Sequence, residues 1–301
     1  MNIPFLKITK TYYLVSFFFL AGAVASLLIF GLKFGIDFLG GSILEFEFEN
    51  RPSNQLIQEK LNNLNLGEII IQPIGDKEVV IKTKEINSET HQKIILQLQE
   101  MSKIEERGFE NIGPVIGREL REKTVLLVVI SLTALLIYIS LAFKNVSWPL
   151  SSWQYGVISI ITLAFDVSIT IGFFAFLGRY YNAQFNIPIV TAVLTIFGYT
   201  INDKVIIFDR VRENLLRKGE NNFKELVNKS LNETIFRSIS TGTCTLLVLL
   251  AIFFFGGETL KYFSLTLIMG IVVGTYSSLF LAAPLLVTWL KIKEKRAQKK
   301  K

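Results

Sequence analysis

Six long apolar blocks constrain this 301-residue chain more than anything else in it. They cover 12–32, 125–143, 155–177, 187–208, 239–255 and 263–290. Crossing a hydrocarbon core of roughly 30 Å takes about 20 predominantly apolar helical residues. Backbone polar groups in lipid must be satisfied within the segment, so such blocks become helices. The predicted fold class is therefore a polytopic α-helical membrane protein with six transmembrane helices. Pro284 is expected to kink or end the last block. The first block could also read as a cleaved leader, since Ala23-Val-Ala25 resembles a small-residue cleavage site. Its continuation through Leu27-Leu-Ile-Phe30 is too long for a signal core and favours an uncleaved anchor.

The formal net charge of +7 does not point to nucleic acid, because the basic residues flank the apolar blocks. Residues 291–301 hold seven Lys or Arg against Glu294 alone, and Lys7 and Lys10 precede the first span. By contrast, 33–123 carries 12 basic and 16 acidic residues. Basic flanks stay on the cytoplasmic side. Both termini and a basic loop at 209–237 are thus predicted inside, and the large insertion outside. The expected organisation is a tail and first span at 1–34, an extracytoplasmic domain at 35–123, a bundle at 124–290 and a basic tail at 291–301. Cys244 lies within a span and has no partner for an intrachain disulfide.

Within the insertion, Ser42-Ile-Leu-Glu-Phe-Glu-Phe-Glu49 alternates apolar and acidic residues, the period of a half-buried strand. Helical spacing follows at 53–64, with Ser53 or Asn54 as cap. Strands are predicted at 67–74 and 78–84 around a Gly75-Asp76 turn, then a helix at 88–101 and a strand near 105–112. The order β-α-β-β-α-β predicts a split-βαβ, ferredoxin-like α+β domain between helices 1 and 2.

A carboxylate inside a span is costly unless paired, hydrated or protonated. Asp203 sits about 7–8 Å inside the inner end of the fourth block, at 1.5 Å per residue. Tyr199 and Thr200 precede it by four and three residues and could hydrogen-bond it, with Asn202 beside it. Lys204 follows and is expected to snorkel to the inner surface. Arg237 opens the fifth span and reaches a similar depth. An arginine beside a carboxylate holds it ionised, and separating the two lets a proton bind. The competing readings are a static interhelical salt bridge for Asp203 and an ordinary inner-surface anchor for Arg237. Asp166, in the middle of the third block with Thr162 and Thr170 at i±4, either joins a proton path or bonds neighbouring hydroxyls. Asp209, Arg210, Arg212 and Glu213 read as an interfacial charge network. Gly270 and Gly274 form a GxxxG pair suited to close helix packing. His91 has no ligand cluster around it and reads as a solvated helix residue. The glycine-rich run at 35–41 lacks the lysine and context of a phosphate loop. No enzyme motif, metal site or cofactor is expected.

Three blocks carry a resemblance to the SecF family of bacterial protein-export membrane subunits. They are Gly35-Ile-Asp-Phe-Leu-Gly-Gly41, the run from Gly198 through Asn202-Asp203 to Asn214, and the C-terminal set Phe255-Gly-Gly-Glu-Thr-Leu260, Gly270–Ser278 and Ala283-Pro284. The resemblance implies pairing with SecD, association with the SecYEG channel, contact with translocating polypeptide and lipids, and residence in the bacterial plasma membrane. It also implies use of the proton-motive force late in translocation, as in RND-type transporters, with no cofactor. Asp203 matches that family's embedded acidic residue and Arg237 its basic partner. Asp166 matches the aspartate of a His-Asp-Val motif in which Phe165 here replaces the histidine. Lys204 stands where a small hydroxyl residue is common. Rival readings are a passive assembly subunit and a half-size RND-type exporter of lipids or small molecules.

Overall fold

The computed structural model describes residues 3–143, 149–218 and 222–299. Its contacts divide the chain into two units, 1–33 with 127–301, and 34–126.

The first unit begins with helix α1, Thr9–Phe30. A single-turn helix at Phe5–Lys7 precedes it, and both Phe5 and Leu6 are buried. The second unit starts with the short helix α2, Ile36–Leu39, and continues through β1 (Gly41–Phe48), α3 (Asn54–Leu61), β2 (Ile70–Ile74), β3 (Glu78–Thr83), α4 (Ser88–Gln99) and β4 (Ile104–Ile112). The strands form one sheet in the order β2-β3-β1-β4, every neighbouring pair antiparallel. The alternation in β1 works as its period requires. Leu44, Phe46 and Phe48 turn inward onto Ile57 and Leu61 of α3 and Ile94 and Leu98 of α4. Glu45 and Glu47 stay on the other face, where Arg107 pairs with Glu47. Ser53 caps α3 and Asn87 caps α4, each accepting a backbone N–H.

The double glycine before β1 is explained by space and backbone conformation. Gly40 has φ +79° and Gly41 φ +141°, which side chains rarely tolerate. A Cβ on Gly40 would lie 2.9 Å from backbone atoms of Pro114, and one on Gly41 would lie 2.6 Å from the Thr83 carbonyl oxygen. His91 is not the solvated residue expected from sequence. Its ring stacks on Phe109 at 4.0 Å and meets Glu106 at 2.7 Å.

Helix α5, Pro114–Ala142, runs across the boundary between the two units. Then come α6 (Ser152–Tyr181), α7 (Ile187–Lys218), α8 (Phe223–Phe255), α9 (Gly257–Ser277) and α10 (Ala283–Gln298). Residues Ser278–Ala282 between the last two adopt a π-helical turn, so 260–298 is one continuous span. Pro284 does not end it. The proline occupies the first turn of α10, directly after the π turn, and the helix continues through it. Among the described residues six helices are thus long and apolar enough to cross a membrane.

The expected loop at 209–237 is largely helix. α7 continues to Lys218 and α8 starts at Phe223, leaving only 219–221 outside the described residues. Both extensions are amphipathic: Val211, Leu226, Val227 and Leu231 are buried in the principal core of this unit. The bundle is unevenly covered, with α6 and α7 more than half buried and α1, α5 and α8 mostly open to their surroundings. The GxxxG pair packs α9 on α7, Gly270 against Ile196 and Gly274 against Thr200.

Candidate functional site

The polar centre of the bundle is organised by α7. Successive helical residues are rotated by about 100°, so Asp203 and Lys204 address different neighbours. Lys204 is fully buried. Its Nζ donates to Oδ2 of Asp166 on α6 at 2.7 Å, both side chains having no exposed surface, and also approaches the Thr200 carbonyl at 3.4 Å. Lys204 therefore does not snorkel to the inner surface, because a carboxylate on the adjacent helix offers a nearer and stronger partner than water.

Around this pair are further oxygens. The hydroxyls of Thr200 and of Ser277, from α9, neighbour the Asp166 carboxyl. Oδ1 of Asp166 and Oγ1 of Thr200 are buried without a hydrogen-bond partner. Ser277 and Ser278 both donate to the Gly274 carbonyl, just before the π turn. Thr200 thus belongs to the Asp166 cluster rather than supporting Asp203. Thr162 and Thr170 do not reach the carboxylate either; they donate to carbonyls of their own helix.

Asp203 turns toward α8. It is only 4 % exposed, its Oδ2 has no hydrogen-bond partner, and Ser238 is the hydroxyl beside it, also unbonded. Tyr199, one turn earlier, sits among Thr241, Thr245 and Thr275, its hydroxyl near Gly242. The anticipated Asp203–Arg237 pair is not formed. Rotation along α8 presents Ser238 to α7 and leaves Arg237 exposed. Asn202 is likewise exposed. With Thr191, Thr195 and Gly198 it forms an outward stripe of small and polar residues along α7.

Further along, a charge network joins the C-terminal part of α7 to the N-terminal part of α8. Arg210 pairs with Glu213 and, at 2.7 Å, with Glu233; Asn214 donates to Glu233 and to Ser230; Arg212 lies 3.4 Å from Asp209. Glu233, Asn214 and Ser230 are members that sequence reasoning missed, because their segment read as a loop. Lys204–Asp166 was missed for a different reason. The available signal was two opposite charges in the interiors of neighbouring spans, which in lipid seek each other. Asn228 and Asn232 of α8 also grip the chain start, each exchanging hydrogen bonds with the backbone near Ile3 and Leu6. Among the described residues no three His, Cys, Asp or Glu side chains group as a metal site.

Six long apolar helices among the described residues, with an ionisable pair buried between them, and a small antiparallel sheet unit define a multi-pass membrane protein. Residues 93–292 match the family described as protein export membrane protein SecD/SecF, C-terminal, and residues 25–50 match the SecD/SecF GG motif. The chain is 36% identical over 291 residues to the protein translocase subunit SecF of Thermobaculum terrenum, covering 92% of this chain and 91% of that one. It is also 36% identical over 269 residues to the SecF subunit of Rickettsia rickettsii, covering 87% and 83%. The crystal structure of SecDF from Thermus thermophilus, a translocon-associated membrane protein, superposes with a TM-score of 0.83 at 32% identity over 96% of this chain. A SecDF structure in a super-membrane-facing form gives 0.72 at 30% identity over all of it. The chain spans about two fifths of those SecDF chains, 39% and 40%. The chain belongs to the SecF family of protein-export membrane subunits.

Proposed function

We propose that this chain is an accessory subunit of the Sec translocase that, with a SecD partner, uses the proton-motive force to promote late protein translocation. In this reading both termini are cytoplasmic, and 35–123 is a ferredoxin-like domain on the outer side of the bacterial plasma membrane. The SecYEG channel, translocating polypeptide and lipids are its other partners. It is not an enzyme and takes no cofactor.

One observation carries the proton assignment: Asp203 is a buried carboxylate with no cation bonded to it, although a lysine is its neighbour in sequence. Such a group is free to gain and lose a proton, whereas Asp166 is already committed to Lys204. Arg237, exposed one residue before Ser238 on α8, lies close enough to act on Asp203 through space without forming an ion pair with it. The outward stripe of Thr191, Thr195, Gly198 and Asn202 supports a SecD contact there, since small and polar residues let membrane helices approach closely.

Asp203→Asn is the test. It should abolish the dependence of late translocation on the proton gradient, in vesicles driven by an imposed ΔpH, while the complex with SecD still co-purifies. Full gradient response in the variant would sink the proton path. Loss of the complex would favour the passive packing role, a reading that the Lys204–Asp166 pair supports on its own.

A further inference from the structure

The buried cluster around Asp166 has the chemistry of a cation site, and a side chain fills it. Hard cations are held by carboxylates, hydroxyls and backbone carbonyls. Membrane transport proteins build coupling-ion sites near the midplane from such groups, where helices depart from regular winding. Here the oxygens are those of Asp166, the Thr200 hydroxyl and carbonyl, and Ser277, with the π turn at 278–282 immediately beyond. Two of them, Asp166 Oδ1 and Thr200 Oγ1, have no partner although buried. A lone ammonium with three donors engages Oδ2 at 2.7 Å and the Thr200 carbonyl at 3.4 Å.

The geometry points to Lys204 as a tethered cation: its ammonium takes the place of a free alkali-metal ion in an oxygen-lined site formed by Asp166, Thr200 and Ser277. The role is that of a positioning residue. The tether keeps the charge of Asp166 neutralised at every stage and prevents ions from exchanging there. Removing it while adding a hydroxyl leaves an open monovalent-cation site, for which sodium is the probe. A consequence for coupling, that Asp166 is silent and only Asp203 exchanges an ion, rests on the proposed proton path; the site itself does not.

The experiment is thermal unfolding of the full chain in detergent, with NaCl titrated against choline chloride at constant ionic strength. The native chain should show no sodium-specific shift. Lys204→Thr should show a saturable, sodium-specific rise of several degrees in Tm, as binding to the native state requires. Adding Asp166→Asn should remove that rise. A sodium-specific shift in the native chain, or none in folded Lys204→Thr, overturns the proposal. If Lys204→Thr does not fold without sodium, recovery in sodium but not in choline counts as the same positive result. Failure in both salts, for Lys204→Thr and Lys204→Ser alike, counts against it. Translocation is not measured here, so a sodium response alongside a gradient-insensitive site at Asp203 would uphold the tethered cation and sink the proton path separately.

Discussion

Gly172→Ala should be among the most damaging single-methyl additions in the bundle, and Gly22→Ala, on the helix that Gly172 packs against, should be harmless. A Cβ on Gly172 would lie 2.6 Å from the Cα, Cβ and carbonyl oxygen of Ala23. Ordinary contact between carbons is about 3.5–4.0 Å, so α1 and α6 must part by roughly 1 Å. Most of the obstructing atoms are backbone, and no side-chain rotation relieves them. Overpacking of this kind costs about 1–3 kcal/mol. Separation also strains the bond from Ser26 Oγ to the Gly172 carbonyl, 2.8 Å long, whose loss adds about 1 kcal/mol. The total is about 2–4 kcal/mol. Gly22 has nothing within 4 Å of its Cβ position, so alanine there gains about 0.5–1 kcal/mol of helix preference. At about 2–4 °C per kcal/mol for a chain of this size class, the two variants should differ in Tm by roughly 5–20 °C. The assay is thermal unfolding of each purified variant in one detergent at one scan rate. If Gly172→Ala unfolds at or above the native temperature, or Gly22→Ala falls as far as it does, the close α1–α6 contact is wrong.

Four other substitutions probe three different parts of the molecule. Asp166→Asn and Lys204→Met should each cost about 3–5 kcal/mol by stranding a buried charge, while the double variant should recover most of that loss; chemical or thermal unfolding that shows simple addition would refute the pairing. Gly198→Leu should leave the isolated chain as stable as the native one, since nothing lies within 4 Å of that Cβ position, yet abolish co-purification with SecD; retained binding would move the contact elsewhere. In the sheet unit, burial together with Glu110 and Glu78 pushes the Glu45 carboxyl above its usual range. Such a group binds its proton more tightly in the folded chain than in the unfolded one, so stability falls as pH rises from the unfolded value through the folded one. Glu45→Gln should therefore raise the unfolding temperature at pH 7 and make no difference below the ordinary carboxylate range; a pH-independent effect would show that Glu45 ionisation is not the cause.

The six spans were legible because lipid imposes length and continuity, and the strand pattern because β1 alternates Leu44, Phe46 and Phe48 with glutamates. The helix ends at 209–237 were not, since their polar composition reads as loop once hydropathy is the only guide. The 3–4 spacing of Val211 and Leu215, and of Leu226, Val227 and Leu231, was nevertheless present in the sequence and marks the buried faces of the extensions. Pairings inside the bundle were less accessible. Lys204 was assigned to the nearest water because residue order gives depth but not azimuth, and azimuth decides that it meets Asp166. Arg237 was assigned to Asp203 by the same neglect; one residue of rotation substitutes Ser238. The π turn before Pro284 depends on how α9 and α10 fit their neighbours, which no local pattern encodes.

The three faces of α7 together bear on what Asp203 can do. Lys204 and Thr200 are spent on α6 and α9, so the only intramembrane lysine of the cluster is unavailable to the next residue. Charge there is balanced internally, Asp166 against Lys204, and Asp203 is left as the unmatched group. A carboxylate 4 % exposed and without a bonded cation is too costly to stay ionised in hydrocarbon. Its balance has to come from a proton, from water, or from a residue contributed across the open side of α7 and α8. That open side carries Asn202, Gly198 and Arg237, all exposed in the isolated chain. The surface proposed for the SecD contact is therefore the one from which Asp203 can be reached, so docking of SecD and protonation of Asp203 should be coupled. Measured affinity between the two subunits should then depend on pH in the native pair and lose that dependence in Asp203→Asn.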